Sequence, residues 1–192
     1  LMWDDQFLYF YIRMRDDQVA FGQSAEKWWE ADSAEFWIDS VQVGLHLEPR
    51  KEAVVDPKGA PFKDARIAVK LIREEKLPGY SVEVALPLSH FPVLKDPAAG
   101  IRFHTAVGEN DADPKPGEPV KRKAQGYFPS TFVHSTPATF SVAVLADMEG
   151  KAPPLSRENN RAAGAGDGVT SNFHKGASPN AMAYDLKVAR GQ

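Results

Sequence analysis

Between residues 28 and 39 the chain reads WWEADSAEFWID, which sets three of its four tryptophans among four carboxylates. Aromatic faces beside acids suit one kind of recognition. A pyranose presents a face of C–H groups and a rim of hydroxyls, so its receptor needs a flat aromatic surface for the face and carboxylates, amides or Arg for the rim. Trp28, Trp29 and Glu35 bring both kinds of group together. The competing reading is a half-buried strand: Ala34, Phe36 and Ile38 form one face, and Ser33, Glu35, Trp37 and Asp39 the other. On that reading Trp37 is a half-exposed cross-strand packing residue or part of a contact surface. Glu35 and Asp39 are then strand-face charges satisfied by Arg or Lys.

A second polar cluster lies at NDAD and the following DPKPGEP, which puts Asn110, Asp111, Asp113 and Glu118 in a short loop. Oxygen-rich loops suit Ca²⁺, which takes about 6–8 oxygen ligands. The spacing is not that of an EF-hand, and solvated loop acids are the alternative. The five histidines are scattered without metal-ligand spacing.

Catalytic signatures are missing from the sequence. It holds no G-x-S-x-G, phosphate-binding loop or dinucleotide fingerprint. Glu35 and Asp39 resemble glycosidase acids by type only. Four residues along a strand span about 13 Å, more than the ~5–9.5 Å that glycosidases use.

Composition narrows the partners. A net charge of −3 over 192 residues exerts no global pull on nucleic acid or anionic membrane. With no cysteine there are no disulfides, thiolate metal sites or cysteine nucleophiles. No apolar run approaches the ~20 residues that span a bilayer. The opening LMWDDQFLYF lacks the basic region and cleavage site of a signal peptide and reads as the start of a mature or truncated chain.

These residues must be positioned by strands. FLYFYIRMR alternates with period two, placing Leu8, Phe10, Ile12 and Met14 on one face. Further strands are expected at 65–72, 80–87, 101–108 and 139–147, with a weaker one at 41–48. Turn signals lie between them at 56–59, 77–79, 96–100 and 113–119. LSHFPVLK alone suggests a helical turn. Many short strands with Pro and Gly punctuation predict an all-β protein, a jelly-roll-like antiparallel sandwich of two sheets. It spans 1–148 and is followed by an irregular tail at 149–192. That tail is rich in Gly, Ala, Asn and Pro, and cannot offset an ordering entropy of roughly 1–2 kcal/mol per residue by itself. It is expected to be ordered by packing on a partner.

Four ordered stretches resemble the family 9 carbohydrate-binding modules and the wider sandwich superfamily of haem- and sugar-binding domains. They are WDDQFLYFYIRMRD, WEADSAEFWID, GYSVEVALP and GIRFHTAVGENDAD. The resemblance covers about 1–147. It implies a non-catalytic, extracytoplasmic module that recognises a glycan end between two aromatic side chains. One maps onto Trp29, with Trp28 beside it. The other falls in GYFPSTF, on Tyr127 or Phe128, where the family often has Trp. Glu35, Asn110 and Asp111 are the implied polar partners, and structural calcium on Asp111 and Asp113 the implied metal. Members begin with a further strand, whose place here falls to another segment, such as the tail, or to a partner. Two other roles fit the same sandwich. One is an assembly subunit of a larger extracytoplasmic or membrane-associated complex, held to another protein by the tail. The other is a haem-binding electron-transfer domain, though Met14 faces the core and no haem-attachment motif is present.

Overall fold

A computed structural model describes residues 2–22, 24–73 and 78–154, and the backbone of 187–190. Among the described residues, eleven strands and a few 3₁₀ turns make up the regular structure. The strands are β1 (Met2–Trp3), β2 (Phe7–Arg15), β3 (Ser33–Ile38), β4 (Val41–His46), β5 (Ala53–Val55) and β6 (Arg66–Ile72). They continue with β7 (Gly79–Pro87), β8 (Arg102–Asp111), β9 (Ala124–Phe128), β10 (Ser141–Leu145) and β11 (Lys187–Arg190).

One antiparallel sheet has the order β6–β7–β2–β1. The other runs β5–β4–β3–β8–β10, and β9 lies beside the far half of β8. β11 lies between β10 and β1, parallel to both. The result is an all-β sandwich. The expectation that 149–192 packs on a partner falls mostly outside the described residues.

The period-two faces explain the layers. Leu8 and Phe10 of β2, Tyr80 to Leu86 in alternation on β7, Phe36 and Ile38 of β3, Leu45 of β4 and Phe103 of β8 meet in one core. Phe10 and Phe36 touch across it with ring centroids 4.3 Å apart. Burying a side chain of this size contributes roughly 1.5–3 kcal/mol. Met14 packs at the edge of this core.

β3 departs from the half-buried expectation, because all six of its residues are buried. Its outer face is covered at one end by the 3₁₀ turn Ala25–Glu30. At the other end Trp37 forms a second small core with Ala106 and Phe140, against which Tyr127 and Phe132 pack. Trp37 is therefore 2% exposed rather than half-exposed. The loop between β9 and β10 folds back over the sheet, and strand periodicity cannot register that.

Candidate functional site

The outer face of the β4–β3–β8–β9 sheet carries the chemistry, and register places it. Glu35 opposes Gly44 on one side and Gly108 on the other, and Gly108 opposes Tyr127. The row Gly44–Glu35–Gly108–Tyr127 thus crosses four strands. The row beside it contains Ser33, Asn110 and Gln125. On the other side Trp37 lies between Gln42 and Ala106.

The glycines make room for aromatic rings. A Cβ on Gly44 would lie 2.3 Å from the Trp28 ring, and one on Gly108 would lie 2.8 Å from Glu35 Cγ and 3.0 Å from Tyr127 Cε1. Trp28 therefore lies directly on the β4 backbone, 1% exposed, with its indole N–H unbonded. Trp29 is half-buried and stands at 88° to Trp28, with ring centroids 5.8 Å apart. Tyr127 is half-buried and stacks on Phe132 at 4.2 Å and 14°; Phe132 stacks on Phe140 at 5.1 Å. Phe128 opposes Val107, in the phase of β9 opposite to Tyr127, and is 37% exposed.

Glu35 is the polar centre of this face. It is 2% exposed, and its oxygens accept from Gln42 Nε2 at 2.7 Å and Gln125 Nε2 at 2.9 Å. Amides, rather than Arg or Lys, satisfy it directly. Gln125 Nε2 also donates to Asn110 Oδ1 at 2.8 Å, and Arg122 Nη1 donates to the same oxygen at 3.0 Å. Asn110 Nδ2 donates to Ser33 Oγ at 3.0 Å. Burial pushes the Glu35 carboxyl above its ordinary range. The two amide bonds and the nearby charges of Arg122 and His134 offset part of that push. Asp39 is not a strand-face residue but lies in the turn after β3 with a φ of 48°, 3.4 Å from His104 Nδ1, and does not join this network.

A second cluster gathers at one end of the sandwich. Asn110 and Asp111 are not loop residues but end β8, and Asp113 follows in the loop. Carboxylate oxygens of Asp16, Asp32 and Asp111 lie within 4.8 Å of one another, as do those of Asp16, Asp17 and Asp113. Asp32 is 1% exposed and ties three segments together, accepting from the backbone N–H of Ala20 and from that of Ala112 at 2.7 Å. Burial first, and then the charge of Asp16, raise its carboxyl to about 8 against those two bonds. The hydroxyl of Tyr80, 1% exposed, has no hydrogen-bond partner. Burial raises it, and so do the charges of Glu109, Asp32, Asp16 and Asp111. Burial with neighbouring acids likewise raises Glu109 and Asp111.

The model of the carbohydrate family 9 binding domain-like family matches residues 1–146. The chain belongs to that family. Neither a curated protein nor a solved structure matches it. Family membership gives this domain a carbohydrate-binding character in general, with a glycan as partner, and such modules are usually non-catalytic. Among the described residues no helix is long and apolar enough to cross a membrane.

Within this family 9 domain, the register brings Glu35, Asn110 and Tyr127 onto one face, Trp28 lies on that face over Gly44, and Trp29 stands edge-on to Trp28. Asp111 belongs to the acidic end, with Asp113. Sequence reasoning did not single out Gln42, Arg122, Gln125, Asp16, Asp32 or Tyr80. The glycines offered a signal for part of this, since an isolated Gly inside a strand marks a close approach. Gly44 in VQVGLHLE and Gly108 in IRFHTAVG are such positions.

Proposed function

We propose that this domain is a non-catalytic module that holds the end of a glycan between Trp29 and Tyr127, over a floor of Glu35, Asn110, Gln125 and Arg122. The observation that carries this reading is the row Gly44–Glu35–Gly108–Tyr127. Its two glycine backbones, which lie under Trp28 and Tyr127, are two interstrand steps apart, about 9–10 Å, and Trp29 stands edge-on to Trp28. A sugar ring stacked between two aromatic faces needs about 7–8 Å, twice an optimal carbon contact. Phe132 backs one face of Tyr127 and fixes its ring, so the other face serves the ligand. Beyond the two amide bonds, Glu35 keeps further lone pairs as acceptors, and Gln125 and Arg122 offer amide and guanidinium N–H groups as donors, as a hydroxyl rim requires.

Catalysis does not fit this floor. Both oxygens of Glu35 are engaged by amides, and Asp39 lies in the turn after β3 against His104, outside the network around Glu35. A glycan ligand accords with an extracytoplasmic setting.

The acidic end is a structural calcium site on this reading. Asp16, Asp32 and Asp111 provide hard oxygen donors close enough to share one ion, and Asp17 and Asp113 extend the set. The Tyr80 hydroxyl and Asp113 Oδ1 are buried oxygens with no hydrogen-bond partner, as suits atoms beside a hard cation. A haem has no comparable support.

Isothermal titration with oligosaccharides of increasing length tests the glycan reading. An end-binding site gives one ligand per domain and an affinity that stops rising after the first few units. Affinity that keeps growing with chain length contradicts end recognition, and the absence of heat across the panel contradicts sugar binding.

A further inference from the structure

Next to the polar floor lies a feature that end recognition leaves unused. A hollow of about 240 Å³ is lined by Pro114, Glu118, Pro119 and the consecutive cations Lys121, Arg122 and Lys123. The prolines stiffen its wall by fixing their own backbone angles. Lys123 is anchored at the mouth of β9 by its backbone N–H, which donates to Asp111 O at 2.8 Å.

Cations outnumber carboxylates in the lining of this hollow, although Glu35 and Asp111 outside it act on Arg122 and Lys123. Glu118 is its one carboxylate, and its Oε2 accepts from the Lys115 backbone N–H at 3.2 Å. The described ion pairs involve Lys27, His46, Lys51 and His104, and none of the three cations of the hollow. Lys121, Arg122 and Lys123 together leave an excess of positive charge over Glu118 within the lining, which favours an anion there. Arg122 joins the hollow to the floor: one of its five N–H donors serves Asn110 Oδ1, which also accepts from Gln125. A volume of 240 Å³ holds a carboxylate or sulfate with several waters, at about 30 Å³ per water.

We propose that the ligand is an anionic glycan, whose terminal ring lies over Glu35 and whose neighbouring unit places a carboxylate or sulfate in the hollow against Lys121, Arg122 and Lys123. This rests on the glycan-end reading above and adds the ligand's charge class to it. Lys121 and Lys123 are exposed, so their pull is modest and screened by salt.

The test is calorimetric titration of the full chain with matched xylo-, gluco- and galacto-oligosaccharides. Each is supplied neutral, with one uronic acid, and with one sulfate. At low salt the anionic member of the accepted series binds about 3–10-fold tighter than its neutral counterpart, as two or three exposed ion pairs would give. The advantage fades by about 0.5 M salt, where the Debye length is only a few Å. The double variant Lys121→Ala/Lys123→Ala loses the advantage and keeps the neutral affinity. Preference for the uronate or for the sulfate identifies the source of the anion. Equal affinity for neutral and anionic members overturns the proposal and leaves the glycan reading intact. No binding across the panel by folded protein overturns both.

Discussion

Gln125 donates to Glu35 across a sequence separation of 90 residues, Nε2 to Oε1 at 2.9 Å. That bond joins β9 to β3 over the bare backbone of Gly108, in the middle of the face proposed to hold the ligand. Burial of the Glu35 carboxylate makes its own ionisation work against folding.

Glu35→Gln tests that conflict. Burial holds the folded-state carboxyl above its ordinary 4.5. A group raised in this way contributes most to stability below its unfolded value, and that contribution is lost as pH rises through the folded value. Chemical denaturation of wild type against Glu35→Gln, repeated from pH 4 to pH 8, should show the wild type losing ground as pH rises. Saccharide affinity of the variant falls about 10–100-fold, the range for a hydrogen bond to a charged group. A pH-independent difference with unchanged affinity would contradict the assigned role.

Gly108→Ala has no room for its methyl group, which would lie 2.8 Å from Glu35 Cγ and 3.0 Å from the Tyr127 ring. Overpacking of this kind costs about 1–3 kcal/mol, and ligand affinity falls with it. Gly126→Ala is the control, since a Cβ there meets nothing within 4 Å. Equal denaturation midpoints for the two variants would remove the close approach on which the row depends.

Trp37→Ala empties the second core, where the indole ring contacts Tyr127, Phe132 and Phe140 at centroid distances of 5.7, 4.6 and 6.3 Å. Loss of a buried Trp costs about 3–5 kcal/mol. Because Phe132 backs Tyr127, the variant also loses ligand affinity under conditions where it is still folded. Full affinity in folded Trp37→Ala would show that Tyr127 needs no backing.

Calcium binding is read from thermal unfolding. At a hundred-fold excess over Kd, an ion bound only by the folded state adds about 2.7 kcal/mol, or about 5–10 °C in Tm for a chain of this size. Asp111→Asn reduces the shift and leaves the Tm in chelator unchanged or higher, because one of the crowded acids is gone. Identical melting curves in Ca²⁺ and in chelator would count against the site.

The sandwich was legible because its core strands alternate strictly: Leu8, Phe10, Phe36 and Ile38 announce an inner face by period alone. The outer face of β3 was not legible. Its burial comes from the Ala25–Glu30 turn and from Phe132 and Phe140, which are tertiary neighbours that no local pattern encodes. β5 and β9 escaped notice because they are three and five residues long, and β9 is mostly polar or exposed. Asn110 and Asp111 read as loop because polar residues rarely end a strand so late, yet Asn110 is buried by its bonds to Ser33, Gln125 and Arg122. The acidic end was half visible. Asp111 and Asp113 stand together in sequence, whereas Asp16 and Asp32 join them only through the fold.

The most direct test of the central claim is intrinsic tryptophan fluorescence of the folded domain, titrated with mono- and oligosaccharides. The account predicts a saturable shift that disappears in Trp29→Ala and is strongly weakened in Tyr127→Ala. A flat response across the panel, or a wild-type shift that survives loss of Trp29, would contradict it.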